Sequence, residues 1–246
     1  MGDICNWSPE RLREVIRESN IQSANAKGSQ KYVIWENYAL LNDYEFIACP
    51  CDESCWCKRH SCTGHYRIKE IVFGEFLETY VKLWTPPKAR ENIKNAVLFG
   101  TPFNGRQKNA VNPLQWLRTN WSDVLARVRS HNKCGLCDSS LPVVEDVTNL
   151  YQAKMWSQLF YDCIVPFDTK SKTRLTRAGY ADPSKHFMST NGQLFSDLRR
   201  LSEDVGMDID GVRNLDAPWG VVAHLKRPSN GQPLSRVLDK MFYVPE

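Results

Sequence analysis

The sequence has no apolar run long enough to cross a membrane. Its 246 residues are 42% hydrophobic and 24% charged, and no stretch approaches the roughly 18 consecutive apolar residues that a membrane helix needs. Residues 1–20 also lack the charged start and apolar core of a signal peptide, because a polar start leads into an amphipathic pattern. We therefore expect a protein of a reducing, bacterial cytoplasm with no membrane partner.

The sequence also has little excess charge of one sign, no internal repeat and no low-complexity linker. Its formal net charge of +4 permits an anionic partner without requiring one. The composition excludes a disordered, collagen-like or coiled-coil chain. We expect one large domain, or an N-terminal part at residues 1–105 and a helical part at 106–246, which would meet in the Gly- and Pro-bearing stretch 101–113.

Helical spacing of apolar residues dominates the chain and predicts a mainly α fold. A helix-start signature is formed by Ser8, Pro9 and Glu10. The apolar residues of the helix that follows lie on one face: Leu12, Val15 and Ile16. The same signature recurs at Asn112 and Pro113. A further helical pattern covers 68–84, and another begins after the prolines at 86 and 87 and ends near residue 100. The remaining patterns cover 112–128, 147–160, 190–205 and 233–243.

Two short segments are typical of strands. Tyr32–Trp35 and Tyr44–Ile47 are rich in β-branched and aromatic residues. They predict a small N-terminal strand pair that presents the cysteine-rich segment following it.

Cysteine is distributed unevenly, since five of the nine cysteines and two of the five histidines fall within residues 49–65. Thiolates and imidazoles there recur every two to four residues, which is the spacing that wraps a tetrahedral zinc ion. A disulfide knot or a redox-labile loop is the alternative, although disulfides persist mainly in oxidising compartments. Four of seven candidates would form a structural zinc site: Cys49, Cys51, Cys55, Cys57, His60, Cys62 and His65. Cys49-x-Cys51 with Cys62-x-x-His65 resembles a SWIM-type zinc finger, with one residue more in the second pair.

A second, weaker metal candidate is Cys134-Gly-Leu-Cys137, which has the spacing of a zinc-knuckle half. His131 and the distant Cys163 or Cys5 can complete it; two packed thiols are the alternative. Together with Val147–Leu150 this region faintly resembles an HNH nuclease. No histidine lies between His131 and His186 to act as the general base, so a metal-dependent nuclease is only an alternative.

The eight tryptophans lie mostly in helical apolar patterns, where core packing is expected. Trp56 differs because it lies between two cysteines and close to Lys58, Arg59 and Arg67. It can stack on a nucleobase or pack against the metal site.

An acid followed by a basic helix forms the candidate catalytic segment. Asp168 comes after an apolar run and has the position of a helix N-cap, which is one interpretation. The predicted helix carries four cations with only Asp182 opposing them, which is typical of a phosphate-binding element. The cations are Lys170, Lys172, Arg174 and Arg177.

Val165-Pro-Phe-Asp168-Thr169, with Arg174 and Arg177-Ala-Gly179 after it, resembles a segment of the helix-hairpin-helix DNA glycosylases. The resemblance implies that Asp168 is the catalytic acid, which stabilises the positive sugar as a flipped base leaves and orients the attacking water. Leu141-Pro142 stands where that family has a glycine-bearing hairpin, but both glycines are missing here. The absence of the family's nucleophilic lysine implies a monofunctional enzyme.

Two neighbours of this segment are candidates for a base pocket. Tyr161 can stack on an extruded base, and Asp162 is a rival acid. Core packing and a hydrogen-bonded core feature are the alternatives. Three functions therefore stay open: a DNA glycosylase acting through Asp168, a zinc-stabilised nucleic-acid-binding module without chemistry, and a metal-dependent nuclease.

Overall fold

The first helix begins where the sequence predicts. Ser8 accepts a hydrogen bond at its Oγ from the backbone N–H of Arg11 at 3.2 Å, which makes it the N-cap. Leu12 and Ile16 are buried, as is Val15, and the helix packs against the last helix of the chain. The computed structural model describes residues 7–25, 39–84, 113–131, 135–137, 156–167, 169–215 and 229–242.

The described residues are mainly helical, as predicted, with one antiparallel strand pair. Short helical segments also occur at 39–42 and 156–159. The elements are α1 Pro9–Asn25, β1 Tyr44–Ala48, α2 Trp56–Arg59, β2 Gly64–Ile68, α3 Phe73–Trp84, α4 Pro113–Thr119, α5 Trp121–Ser130, α6 Thr169–Arg177, α7 Pro183–Asp204, α8 Ile209–Arg213 and α9 Leu234–Met241.

The strand pair encloses the cysteine-rich segment. β1 pairs with β2 in a register that runs from Tyr44 opposite Ile68 to Ala48 opposite Gly64. Beyond the ladder, the N–H of Cys49 donates to the carbonyl of Thr63 at 3.1 Å. β1 is confirmed, whereas β2 was not predicted, and residues 32–35 lie outside the described residues. The loop 49–63 is therefore closed at its base by backbone hydrogen bonds.

Several predicted helix limits are wrong. Ile68 ends β2 and α3 starts only at Phe73, because pairing with β1 determines the conformation of residues 64–68. The pattern at 112–128 is divided at Asn120 into α4 and α5. α7 starts at Pro183 and not at 190, since Asp182 caps it by accepting from the N–H of Ser184 at 2.9 Å. The helix predicted to end at 100 and residues 147–155 lie outside the described residues.

One hydrophobic core runs through the described part of the chain and takes residues from α1, the strand pair and every later helix region. α9 is buried along its whole length, which confirms the predicted closing helix. The predicted boundary at 105–106 lies outside the described residues, and the division into two parts stays a prediction. Among the described residues, every helix is too short or too polar to span a lipid bilayer.

Candidate metal centre

Local turns fold the loop 49–63 so that four of its five cysteines come close together. The Asp52 carboxylate accepts from the N–H of Ser54 at 2.9 Å, and the N–H of Cys55 donates to the Asp52 carbonyl at 3.0 Å. The hydrogen bond from the Ser54 hydroxyl is the main cause that lowers the pKa of Asp52. After α2, the N–H of Cys62 returns to the carbonyl of Cys57 at 2.8 Å. The turn and α2 bring two Cys-x-Cys pairs together.

Five thiols meet in one cluster, four from this loop and one from the turn 135–137. Cys137 Sγ lies 3.4 Å from Cys51 Sγ, 3.7 Å from Cys55 Sγ and 2.6 Å from Cys57 Sγ. Cys49, Cys51 and Cys137 form a trio whose sulfurs are mutually within 4.8 Å, and Cys55, Cys57 and Cys137 form a second one. We call these five residues the thiol cluster. None of its members is in a disulfide.

The thiol cluster has the chemistry of a metal site. Two sulfur atoms bound to one tetrahedral zinc ion at about 2.3 Å lie about 3.8 Å apart, close to the 3.4 Å and 3.7 Å distances from Cys137 to Cys51 and Cys55. Burial is the largest cause that raises the pKa of Cys51, and its contacts with Cys137, Cys49 and Cys55 raise it further. Thiolates this close together need a cation to hold them ionised. These residues can therefore hold a metal ion.

The other three predicted ligands have different environments. His60 stacks on the Trp56 ring with centroids 4.2 Å apart, and Cys62 donates through its Sγ to the carbonyl of Gly64 at 3.5 Å. His65 is 2% exposed, and burial is the main cause that lowers its pKa. None of the three joins a potential metal group among the described residues. Cys134 lies outside the described residues.

Trp56 packs inside the protein, against His60 and residues of α7. The side chain is buried, and its Nε1–H donates to the Glu203 carboxylate of α7. The Arg199 guanidinium lies 4.7 Å from the ring centroid. The loop that carries the thiol cluster is thereby attached to the longest described helix.

Asp162 forms the hydrogen-bonded core feature that was one of its two interpretations. Its two carboxylate oxygens accept from the two terminal nitrogens of Arg213 at 2.9 Å and 2.6 Å. They also accept from the backbone N–H of Tyr66 at 2.9 Å and of Leu234 at 2.6 Å. Both charged side chains are fully buried. Sequence reasoning missed Arg213, since no local pattern indicates a partner 51 residues away.

Tyr161, the other base-pocket candidate, is also in the core. Its ring is 1% exposed and stacks on Tyr44 with centroids 4.3 Å apart. Its backbone carbonyl accepts from the hydroxyl of Ser235. These contacts are those of core packing, and a role in base binding stays a prediction.

Within the segment 165–179 that carries the catalytic prediction, Asp168 lies outside the described residues. α6 begins at the next residue, Thr169, and both interpretations of Asp168 stay predictions. Lys172 forms an ion pair with Asp182 at 3.0 Å, and Arg174 donates to the Phe242 carbonyl at 2.8 Å. Hydrogen bonding to the Ser184 hydroxyl is the main cause that lowers the pKa of Asp182 to about 2.

The predicted cations of α6 differ in exposure. Lys172 and Arg174 are half-buried and bonded within the protein, whereas Arg177 is exposed. The side chain of Lys170 lies outside the described part.

His131 and Cys163, the suggested partners of the Cys134 and Cys137 pair, form a contact of their own. His131 Nε2 lies 3.6 Å from Cys163 Sγ. Neither residue belongs to a potential metal group within the described ranges. The structure thus assigns Cys137 to the thiol cluster instead.

Comparison with protein-family models, with curated proteins and with solved structures finds no match to this chain. The resemblance to helix-hairpin-helix glycosylases therefore stays a prediction. Within the described residues, the thiol cluster is the group of side chains that could hold a metal ion.

Proposed function

We propose that the thiol cluster is a zinc site and that the protein depends on it for its fold. The observation that carries the proposal is that sulfur atoms from two distant segments meet in two trios, with the distances from Cys137 to Cys51 and Cys55 close to the spacing of zinc ligands and the distance to Cys57 shorter. Thiolates favour zinc over magnesium or calcium, which prefer oxygen donors. Zinc supplies a divalent charge that holds the thiolates ionised without redox chemistry of its own.

The role of the metal is structural because of what it connects. Cys51 and Cys137 are 86 residues apart in the chain, and a shared ion fixes the loop 49–63 to the turn 135–137. Through Trp56 the same loop contacts α7. Ordering such distant segments is unfavourable in conformational entropy, and metal binding offsets that cost because the unfolded chain offers no formed site.

The test is the zinc content and stability of the purified full chain. We expect zinc to co-purify, and Cys51→Ser to lower both zinc content and the unfolding midpoint. Cys62→Ser is the matched control, because Cys62 is buried in the same loop and lies outside the thiol cluster. Absence of zinc from protein with reduced thiols, or equal zinc loss in both variants, would contradict the proposal.

We propose DNA as the partner, and α6 as the element that contacts it. The supporting observation is that α6 forms directly after Asp168 and leaves Arg177 exposed. The expected result is DNA binding that weakens with salt and is reduced by Arg177→Gln. Arg200→Gln, an equal loss of charge at an exposed position of α7, should have a smaller effect. Equal effects of the two variants would contradict a specific role of α6.

Within this proposal, glycosylase activity through Asp168 is separable from binding. Purified protein is incubated with duplexes that carry varied modified bases, without added divalent ions, and abasic sites are revealed with alkali. Alkali-dependent breaks that are lost in Asp168→Asn support a monofunctional glycosylase. Binding that survives the substitution without any breaks supports the non-catalytic module. Breaks that require added magnesium or manganese support the nuclease alternative.

A further inference from the structure

The thiol cluster consists of two similar halves. Each half is one Cys-x-Cys pair: Cys49 with Cys51 directly after β1, and Cys55 with Cys57 at the start of α2. Each pair forms a trio with the same third sulfur, that of Cys137. We propose that the site binds two zinc ions, one in each trio, with the thiolate of Cys137 bridging them. This inference rests on the proposed zinc site and specifies how many ions it holds.

Cys137 contacts both pairs. Its sulfur lies 3.4 Å from that of Cys51 in the first pair, and 3.7 Å and 2.6 Å from those of Cys55 and Cys57 in the second pair. Cys137 is the single member that the two trios share. A sulfur shared by two trios can bind one ion together with each pair, because a thiolate has more than one lone pair.

The number of donors favours two ions over one. A single tetrahedral zinc ion takes four ligands, which leaves one of the five thiols in contact with the site but unbound. When Cys137 bridges, five thiolates supply six metal–sulfur bonds, three for each ion. One coordination position then remains at each ion for a water molecule or another donor.

The net charge of the cluster also favours two ions over one. One Zn²⁺ bound by four thiolates has a net charge of about −2 and leaves the fifth thiol protonated, whereas two Zn²⁺ bound by five thiolates have a net charge of about −1. Two members of the cluster, Cys49 and Cys57, are buried, and the other three are half-buried. An uncompensated charge is unfavourable in such a place. Binding two ions to five thiols releases five protons to solvent and changes no oxidation state.

The first test is the number of zinc ions per full-length chain, measured by elemental analysis after loosely bound metal is removed by gel filtration. We expect two ions in the wild type and in Cys62→Ser. Cys49→Ser weakens one trio and should retain about one ion, whereas Cys137→Ser removes a ligand of both and should retain less than one. One ion in the wild type would overturn the bridged pair and leave the proposed zinc site standing. No ion would overturn both.

The second test needs no substitution and so does not depend on a variant folding. The full chain is loaded with ¹¹³Cd²⁺, which binds thiolate sites in place of zinc, and its NMR spectrum is recorded. Two resonances from sulfur-rich sites that split each other through the shared sulfur are expected. Two unsplit resonances, or one, would overturn the bridge.

Discussion

The buried Asp162 carboxylate accepts hydrogen bonds from three residues that are distant in the chain. The donors are the Arg213 guanidinium of α8, the N–H of Tyr66 in β2 and the N–H of Leu234 in α9. The bidentate geometry and the two backbone donors satisfy the carboxylate in a place without water contact. A buried ion pair of this kind is unfavourable to break, because the remaining charge stays buried without its partner.

Asp162→Asn is therefore expected to lower the free energy of unfolding by about 3–5 kcal/mol, since it leaves the buried Arg213 guanidinium without a counter-charge. Urea unfolding followed by circular dichroism measures the change. Glu14→Gln is the control, because Glu14 pairs with Arg11 at the surface and its loss should change stability little. A loss below about 1 kcal/mol for Asp162→Asn would contradict the assigned role.

His65 makes stability depend on pH. Burial is the main cause that lowers its pKa below the ordinary 6.5; the charge of Asp162 opposes this, and those of Arg213 and His131 add to it. The unfolded chain therefore takes up a proton more readily than the folded one. The resulting stability is fully present above about pH 6.5 and is lost as pH falls below it.

We expect the free energy of unfolding of the wild type to fall more steeply between pH 6.5 and 5 than that of His65→Gln, which cannot be protonated there. Urea unfolding at several pH values, with zinc content checked at each, measures both slopes. Parallel slopes would show that His65 does not contribute.

Elements with a local start signal could be predicted from the sequence, whereas elements fixed by distant partners could not. Ser8 and Pro9 predicted α1 because capping depends on neighbouring residues. β2 was missed because its conformation depends on pairing with β1, from which the loop 49–63 separates it in the sequence. The start of α7 was missed because Asp182 was taken only as a charge, although with Pro183 it is a cap signature.

Gly64 tests the strand pair. A Cβ at this position would lie 2.2 Å from the Ile47 carbonyl oxygen and 2.6 Å from the Phe46 ring. Gly64→Ala should separate β1 from β2 and lower stability by about 1–3 kcal/mol. In Gly74→Ala, by contrast, the added carbon meets nothing within 4 Å, and stability should stay equal or rise slightly, because alanine favours the helix. Thermal unfolding compares the two, and equal melting temperatures would contradict the close strand contact.

At the scale of the whole molecule, the sequence predicted a cysteine-rich zinc loop in a mainly helical fold, but not the full set of residues that meet there. Four cysteines of the first motif join the thiol cluster, and spacing alone could not distinguish them from His60, Cys62 and His65. Cys137 belongs to the weaker of the two predicted metal candidates, the pair Cys134 and Cys137. Sequence spacing could not identify its partners, because they lie 80 or more residues away. Only the folded chain brings them together.

Metal removal should therefore affect more than the loop itself. A strong chelator is expected to lower the melting temperature of the wild type, and added zinc should restore it, because binding energy is part of folding energy in such sites. Cys137→Ser should already melt lower and respond little to the chelator. A wild-type melting temperature that does not change when zinc is lost would contradict a structural role.

Zinc K-edge X-ray absorption of the purified full chain tests the central claim most directly, because it identifies the atoms bound to the metal. The thiol cluster predicts a first shell dominated by sulfur at about 2.3 Å. A first shell made mainly of nitrogen and oxygen at about 2.0–2.1 Å would show that the metal is held elsewhere and would contradict the account.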